Sequence, residues 1–162
     1  MNKVSQPPFV RPPRLRRGSK VAALSLSSGL VAEVPHRYEA GVREVARQLD
    51  WEIMAAPNAF RGSDDLYANP QARADDLHWA LENPEIEGMV SIIGGDDSIR
   101  LLPLVDREKI RRYPKVLLGY SDTTVTLLQF LRAGVMAYHG PALLTDLAEP
   151  GGMRPEGARS YR

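Results

Sequence analysis

The chain has 162 residues, 43% of them hydrophobic, enough for one domain with a buried core and too few for two of ordinary size. Lysine plus arginine number 21 against 20 for aspartate plus glutamate, and the net charge of +1 gives no general pull toward nucleic acid or an anionic membrane. The lack of cysteine excludes disulfides, thiolate nucleophiles and cysteine zinc sites, and three scattered histidines without an HExxH spacing argue against a bound transition metal.

Residues 1–19 are rich in proline and arginine without a period and read as an extended arm. Arg11, Arg14, Arg16 and Arg17 have no interleaved aromatic beyond Phe9, so a phosphate-binding arm is disfavoured. VAALSL, at 21–26, reads as a buried strand ending in Ser27, Ser28 and Gly29, and is far too short to span a bilayer. With no signal-like segment before it, the expected location is the cytoplasm.

HRYEAGVREVARQLD then places Tyr38, Val42, Val45, Ala46 and Leu49 on one helical face. EIMAAP, at 52–57, is a second strand, and the polar stretch 58–69 reads as a loop. PQARADDLHWALENPE predicts a helix, with Ala74, Leu77 and Leu81 at helical spacing, Pro70 at its start and Pro84 beyond its end. GMVSII, at 88–93, is a third strand, followed by a short helix in SIRLLPLVD that Pro103 limits. KVLLGY, at 115–120, and VMAYHG, at 135–140, complete five apolar runs.

Strands alternating with helices predict an α/β domain over 20–148, built on a mostly parallel, flavodoxin-like or Rossmann-like sheet with helices on both faces. Residues 149–162 read as a polar tail. Ligands collect beyond the carboxyl ends of such strands, where this chain gathers Ser27-Ser28-Gly29, Gly94-Gly95-Asp96-Asp97-Ser98, Ser121-Asp122 and His139-Gly140-Pro141.

Two readings compete for Ser121. A strand, a tight turn and a helix can present a serine as a nucleophile beside backbone N–H donors, although Gly-Tyr-Ser-Asp-Thr lacks the second glycine of G-x-S-x-G. Alternatively, Ser121 or Asp122 simply caps the helix that follows. IIGGDDS matches no nucleotide fingerprint, and Asp96 and Asp97 would repel phosphate, whereas a bare glycine N–H could donate to an oxyanion. His139 could act as a base or be structural, while His36 and His78 read as structural or exposed. The aspartate pairs 64/65, 75/76 and 96/97 raise a metal hypothesis, weakened at 75/76 because successive helical residues diverge.

PPRLRRGSKVAALSLSSGL, ARADDLHWALENPEIEGMVSIIGGDDSIRLL and KVLLGYSDTTVTLLQFL followed by YHGPALL, in that order, resemble the N-terminal half of the LD-carboxypeptidase family of serine peptidases. That family includes muramoyl-tetrapeptide carboxypeptidases and microcin C immunity-type hydrolases. The Gly-Gly-Asp-Asp-Ser loop is closer to the Gly-Gly-Asn-Asn-Ser form of the microcin branch than to the Gly-Gly-Tyr-Gly form of the tetrapeptidases.

The resemblance implies that Ser121 is the catalytic serine, and that the backbone N–H of Asp122 and one from Gly94 or Gly95 form the oxyanion hole. It leaves Ser98, His139 and Gly140 as substrate-binding positions, with no cofactor and no metal. The implied chemistry is hydrolysis of an amide bond in a small peptide or muropeptide through an acyl-enzyme. Family members are roughly twice this long and take their glutamate and histidine from a C-terminal domain, and no residue here matches either partner. The chain is therefore expected to be a poor catalyst alone, completed by such a domain or acting as a homodimer. His139 is a doubtful substitute, since the family often carries an aromatic residue there. The rival functions are an idle peptide-binding module and a flavodoxin-like nucleotide binder.

Overall fold

The computed structural model describes residues 9–160. Five strands, β1 (Lys20–Leu24), β2 (Glu52–Ala55), β3 (Gly88–Ser91), β4 (Val116–Gly119) and β5 (Tyr138–His139), form one parallel sheet in the order β2-β1-β3-β4-β5. Ala23 lies opposite both Ala55 and Val90, Val90 opposite Leu118, and Leu118 opposite Tyr138, so these residues share one face of the pleat.

The β1-to-β2 connection runs one way along the sheet and every later one runs the other way. Because such crossovers are right-handed, α1 (Pro35–Leu49) lies on one face, and α3 (Pro70–Glu82), α4 (Arg107–Arg112) and α5 (Thr124–Arg132) lie on the other, packed against one another. Pro35 and Pro70 each open a helix where a missing N–H costs nothing. Between the layers Leu24, Leu26, Leu77, Leu81, Met89, Leu117 and Phe130 are fully buried, each burial stabilising by about 1.5–3 kcal/mol.

The stretch 58–69 is more than a loop, because it contains α2 (Ser63–Ala68), anchored by the fully buried Leu66. Six residues with one buried apolar position have no period to read. The short helix expected in SIRLLPLVD is only a 3₁₀ turn, Ser98–Leu101. The helix proper, α4, starts beyond Pro103, where the Asp106 carboxylate accepts the N–H groups of Glu108 and Lys109.

The described part of the arm, 9–19, forms no helix. Val10 bridges to Val135, and Leu15 packs so closely on Gly88 that a Cβ there would lie 2.9 Å from it. Residues 1–8 of the expected arm lie outside the described residues. The stretch read as a polar tail holds a short helix, α6 (Pro155–Ser160), and ahead of it the buried Met153 donates its N–H to Glu44 on α1 (2.7 Å).

Candidate active site

The strand order reverses between β1 and β3, the place at the carboxyl edge where ligands gather in such sheets, and here the loops leaving the two strands meet, Ser98 Oγ donating to Leu26 O. The β4 turn reaches the same edge. At its start a Cβ on Gly119 would lie 2.8 Å from Thr123 Cγ2 and 2.9 Å from Ser91 Cβ, so only glycine lets the chain turn this tightly. Tyr120 is extended, Ser121 follows with φ of 58°, and a 3₁₀ turn, Ser121–Thr123, leads into α5. Left-handed backbone costs a residue with a side chain about 1–2 kcal/mol. Ser121 bears that cost at an exposed position.

Helix capping does not explain it. No side chain caps the 3₁₀ turn or α5, and the Ser121 hydroxyl bonds to no other described residue. What faces it is Gly94, where a Cβ would lie 2.7 Å from Ser121 Cβ, 2.8 Å from its Oγ and 3.5 Å from the Asp122 nitrogen. Gly95 presses instead on the β1 loop: its Cβ would overlap Ser27 Oγ and lie 3.0 Å from Ser28 Cβ. The two glycines thus have separate neighbours, Gly94 the exposed serine and Gly95 the serines after β1.

The Asp122 carboxylate turns away from the helix start. Its Oδ2 accepts the Ser27 hydroxyl at 2.5 Å and the Ser98 N–H at 2.7 Å. Partial burial opposes its ionisation, but the Ser27 hydroxyl and the N–H groups of Ser98 and Asp97 outweigh burial and hold the carboxyl below its ordinary range. Ser98 itself is fully buried, with its hydroxyl donated to Leu26 O (3.1 Å), so this expected substrate-binding residue points into the scaffold. Behind it lies Arg73, a buried arginine that sequence reading passed over. It donates to Ser27 O (3.0 Å) and Asp97 O (3.4 Å) and pairs with the Asp97 carboxylate.

His139 is exposed at the end of β5, edge-on to Tyr120 with ring centroids 6.3 Å apart, and makes no hydrogen bond to Ser121. The Gly140 N–H extends the sheet pairing to Gly119 O (3.0 Å). His36 is exposed. His78 accepts the Asp106 N–H on Nε2 (3.0 Å), and burial, helped by Lys109, lowers its pKa, which marks it as structural. Each aspartate pair diverges: Asp65, Asp76 and Asp97 are bonded to Arg61, Asn58 and Arg73, while Asp64, Asp75 and Asp96 are exposed. A groove of about 560 Å³ lies between the arm and the sheet, lined by Arg14, Leu15, Val116 and Tyr138, and Ser121 and Gly94 are not among its walls.

Comparison with known proteins places the chain in a family. The LD-carboxypeptidase N-terminal domain family matches residues 21–140. The chain is 30% identical over 135 residues to the microcin C7 self-immunity protein MccF of Escherichia coli, covering 82% of this chain and 38% of that protein. With the murein tetrapeptide carboxypeptidase of Pseudomonas aeruginosa it shares 38% identity over 77 residues, 47% of this chain and 25% of the relative. A structure of MccF in complex with glutamyl sulfamoyl guanosine superposes with a TM-score of 0.81 at 27% identity, over 96% of this chain and 45% of that one. The chain therefore belongs to the LD-carboxypeptidase family, and it spans less than half the length of these relatives.

Proposed function

We propose that this member of the LD-carboxypeptidase family carries the nucleophile half of a cytoplasmic serine hydrolase, with Ser121 as nucleophile and backbone N–H groups of Asp122 and the Gly94-Gly95 turn as oxyanion donors. The observation that carries the reading is Ser121 itself, held at φ of 58° on a strand-to-helix turn, exposed, free of any capping bond and pressed against a bare glycine.

Ser121 Oγ bonds to the amide carbonyl carbon as its proton passes to a general base, and the carbonyl electron pair moves onto oxygen, where the two N–H groups hold it. Each such donor is worth on the order of 10²–10³ in turnover. As the carbon–nitrogen bond breaks, the base returns that proton to the departing amine, and water, deprotonated by the same base, then hydrolyses the acyl-enzyme and restores the serine. No basic side chain among the described residues bonds to the Ser121 hydroxyl, and loss of the partner histidine costs on the order of 10⁶ in a serine protease. The base therefore comes from a C-terminal domain or a second subunit.

Substrates are small acylated compounds. The murein carboxypeptidase relative supports a muropeptide, and the sulfamoyl guanosine held by MccF supports an aminoacyl amide of a nucleotide-like group. The unbonded hydroxyl also favours a second reading, an idle module that binds peptide without cleaving it. A fluorophosphonate probe separates the two when applied to the chain alone and with the C-terminal half of MccF. An adduct located on Ser121 by mass spectrometry and lost in Ser121→Ala supports the hydrolase. No adduct from a folded, associated pair, together with peptide binding measured by calorimetry, supports the idle module.

A further inference from the structure

Arg73 lies on α3, packed behind the site, and only 1% of it is exposed. Its guanidinium ties the two loops together: one nitrogen donates to Ser27 O after β1 and to Asp97 O after β3, and the other pairs with the Asp97 carboxylate. The residues so held aim two donors at a single atom. The Ser27 hydroxyl and the Ser98 N–H, next in chain to Asp97, both bond Asp122 Oδ2, while the Asp97 N–H reaches Ser27 Oγ at 3.4 Å. A continuous path of hydrogen bonds therefore runs from Arg73 through both loops to the residue whose N–H stands beside Ser121.

We infer that Arg73 is a positioning residue, acting through Ser27 and Asp97 to fix the Asp122 carboxylate and with it the 121–122 peptide that presents the oxyanion donor. The inference rests on Ser121 being the nucleophile. A planar, forked guanidinium suits this task because it reaches three acceptors in fixed directions, which a lysine ammonium on a flexible stem does not. Stability alone does not call for it. Arg73 Nε is buried with no partner among the described residues, and a well-packed apolar side chain is generally at least as stabilising as a buried ion pair. What the arginine supplies is geometry.

The test uses amide hydrogen exchange on the ¹⁵N-labelled chain together with the rate of fluorophosphonate labelling in the presence of the MccF C-terminal half. In Arg73→Met, exchange at Ser98 should rise at least about tenfold, while Val90 and Leu118 in the sheet stay within about twofold. Labelling of Ser121 should slow by about 100-fold, the cost of misplacing a donor by roughly 1 Å. Asp76→Asn, which disturbs another buried charge of α3 that bonds Asn58, should lower the melting temperature and leave both readouts unchanged.

Unchanged exchange at Ser98, or a uniform rise across the sheet, overturns the inference. So does unaltered labelling in a variant whose Ser98 amide has loosened. If Arg73→Met does not fold, Asp97→Asn removes the ion pair while both carbonyl contacts remain, and the same pattern at smaller amplitude decides. If the unaltered chain takes no label under any condition, the nucleophile assignment fails by itself, and the exchange pattern still judges the clamp.

Discussion

If Ser121 is strained, replacing it with glycine should stabilise the chain relative to replacing it with alanine. Both substitutions remove the hydroxyl, so they share every consequence of losing it, and the side chain is exposed, so little packing is at stake. They differ in the backbone. At φ of 58° alanine keeps a penalty of about 1–2 kcal/mol that glycine escapes. Glycine gives back about 0.5–1 kcal/mol through its more mobile unfolded chain. Taking the middle of each range leaves Ser121→Gly ahead by about 0.75 kcal/mol, and at about 2–4 °C per kcal/mol for a domain of this size its melting temperature should be about 2 °C higher. Differential scanning calorimetry of the two variants at one pH and concentration measures this. At ordinary positions alanine is the more stable residue, so the sign is diagnostic. A melting temperature for Ser121→Ala equal to or above that of Ser121→Gly would refute strain at the serine, and with it the observation on which the nucleophile reading stands.

Gly94→Ala should cost about 1–3 kcal/mol by overpacking and abolish labelling of Ser121 in the MccF pairing, because turning the hydroxyl aside does not relieve a contact of 2.7 Å with Ser121 Cβ; wild-type stability would contradict the close approach. Ser27→Ala removes a donor to the Asp122 carboxylate, whose pKa is depressed in the folded state. A depressed carboxyl stabilises the fold above its unfolded pKa of about 4 and loses that contribution as pH falls through its folded value, so Ser27→Ala should be less stable by about 1 kcal/mol at pH 7 and converge with the parent below about pH 4. A gap that persists unchanged in acid would show that the hydroxyl acts otherwise. Burial pushes the Tyr38 phenol up to about 12, so its neutral form contributes stability that is complete below the unfolded value near 10 and vanishes as pH rises through about 12. In an ultraviolet titration Tyr38→Phe should delete a late-ionising tyrosine and blunt alkaline unfolding, and loss of an early one instead would contradict its burial.

The sheet was legible because its five apolar runs are separated by helical patterns, and such alternation fits little besides parallel strands with crossovers. What failed to read were the short helices. α2 and α4 contribute one fully buried apolar residue each, Leu66 and Ile110, and a period cannot be seen in a single position. At the candidate site, the Ser121 turn and the Gly94-Gly95 turn could be singled out because turn chemistry is local. Arg73 could not be found, since its partners Asp97 and Ser27 lie 24 and 46 residues away in the chain. On α3 the exposed Gln71, Asp75 and Glu82 mark the solvent face, but Arg73 and Asp76 are charged residues buried off that face, and by type alone they read as solvated too. The same long-range pairing governs Asp122. Its position beside a helix start suggests a cap, and only the fold brings Ser27, 95 residues away, to claim its carboxylate.

The outer strand β5 is two residues long, and the chain before it is held at Val135 by a bridge to Val10 of the arm. A parallel sheet ends in a row of unpaired backbone groups, and a long, flat row invites edge-to-edge aggregation with other molecules. Here the row is almost absent. The arm spends its own N–H and C=O at Val10 on Gly134 and Met136, then continues through Pro12 and Pro13, which have no N–H to offer a further strand. The described arm thus binds the chain entering β5 at one point and then crosses the sheet to Leu15 on Gly88, stitching the outer strand to the middle of the sheet. Removing the arm would cut that stitch, leaving the Gly134 carbonyl and the Met136 N–H without their partner at Val10 and Gly88 without Leu15 over it.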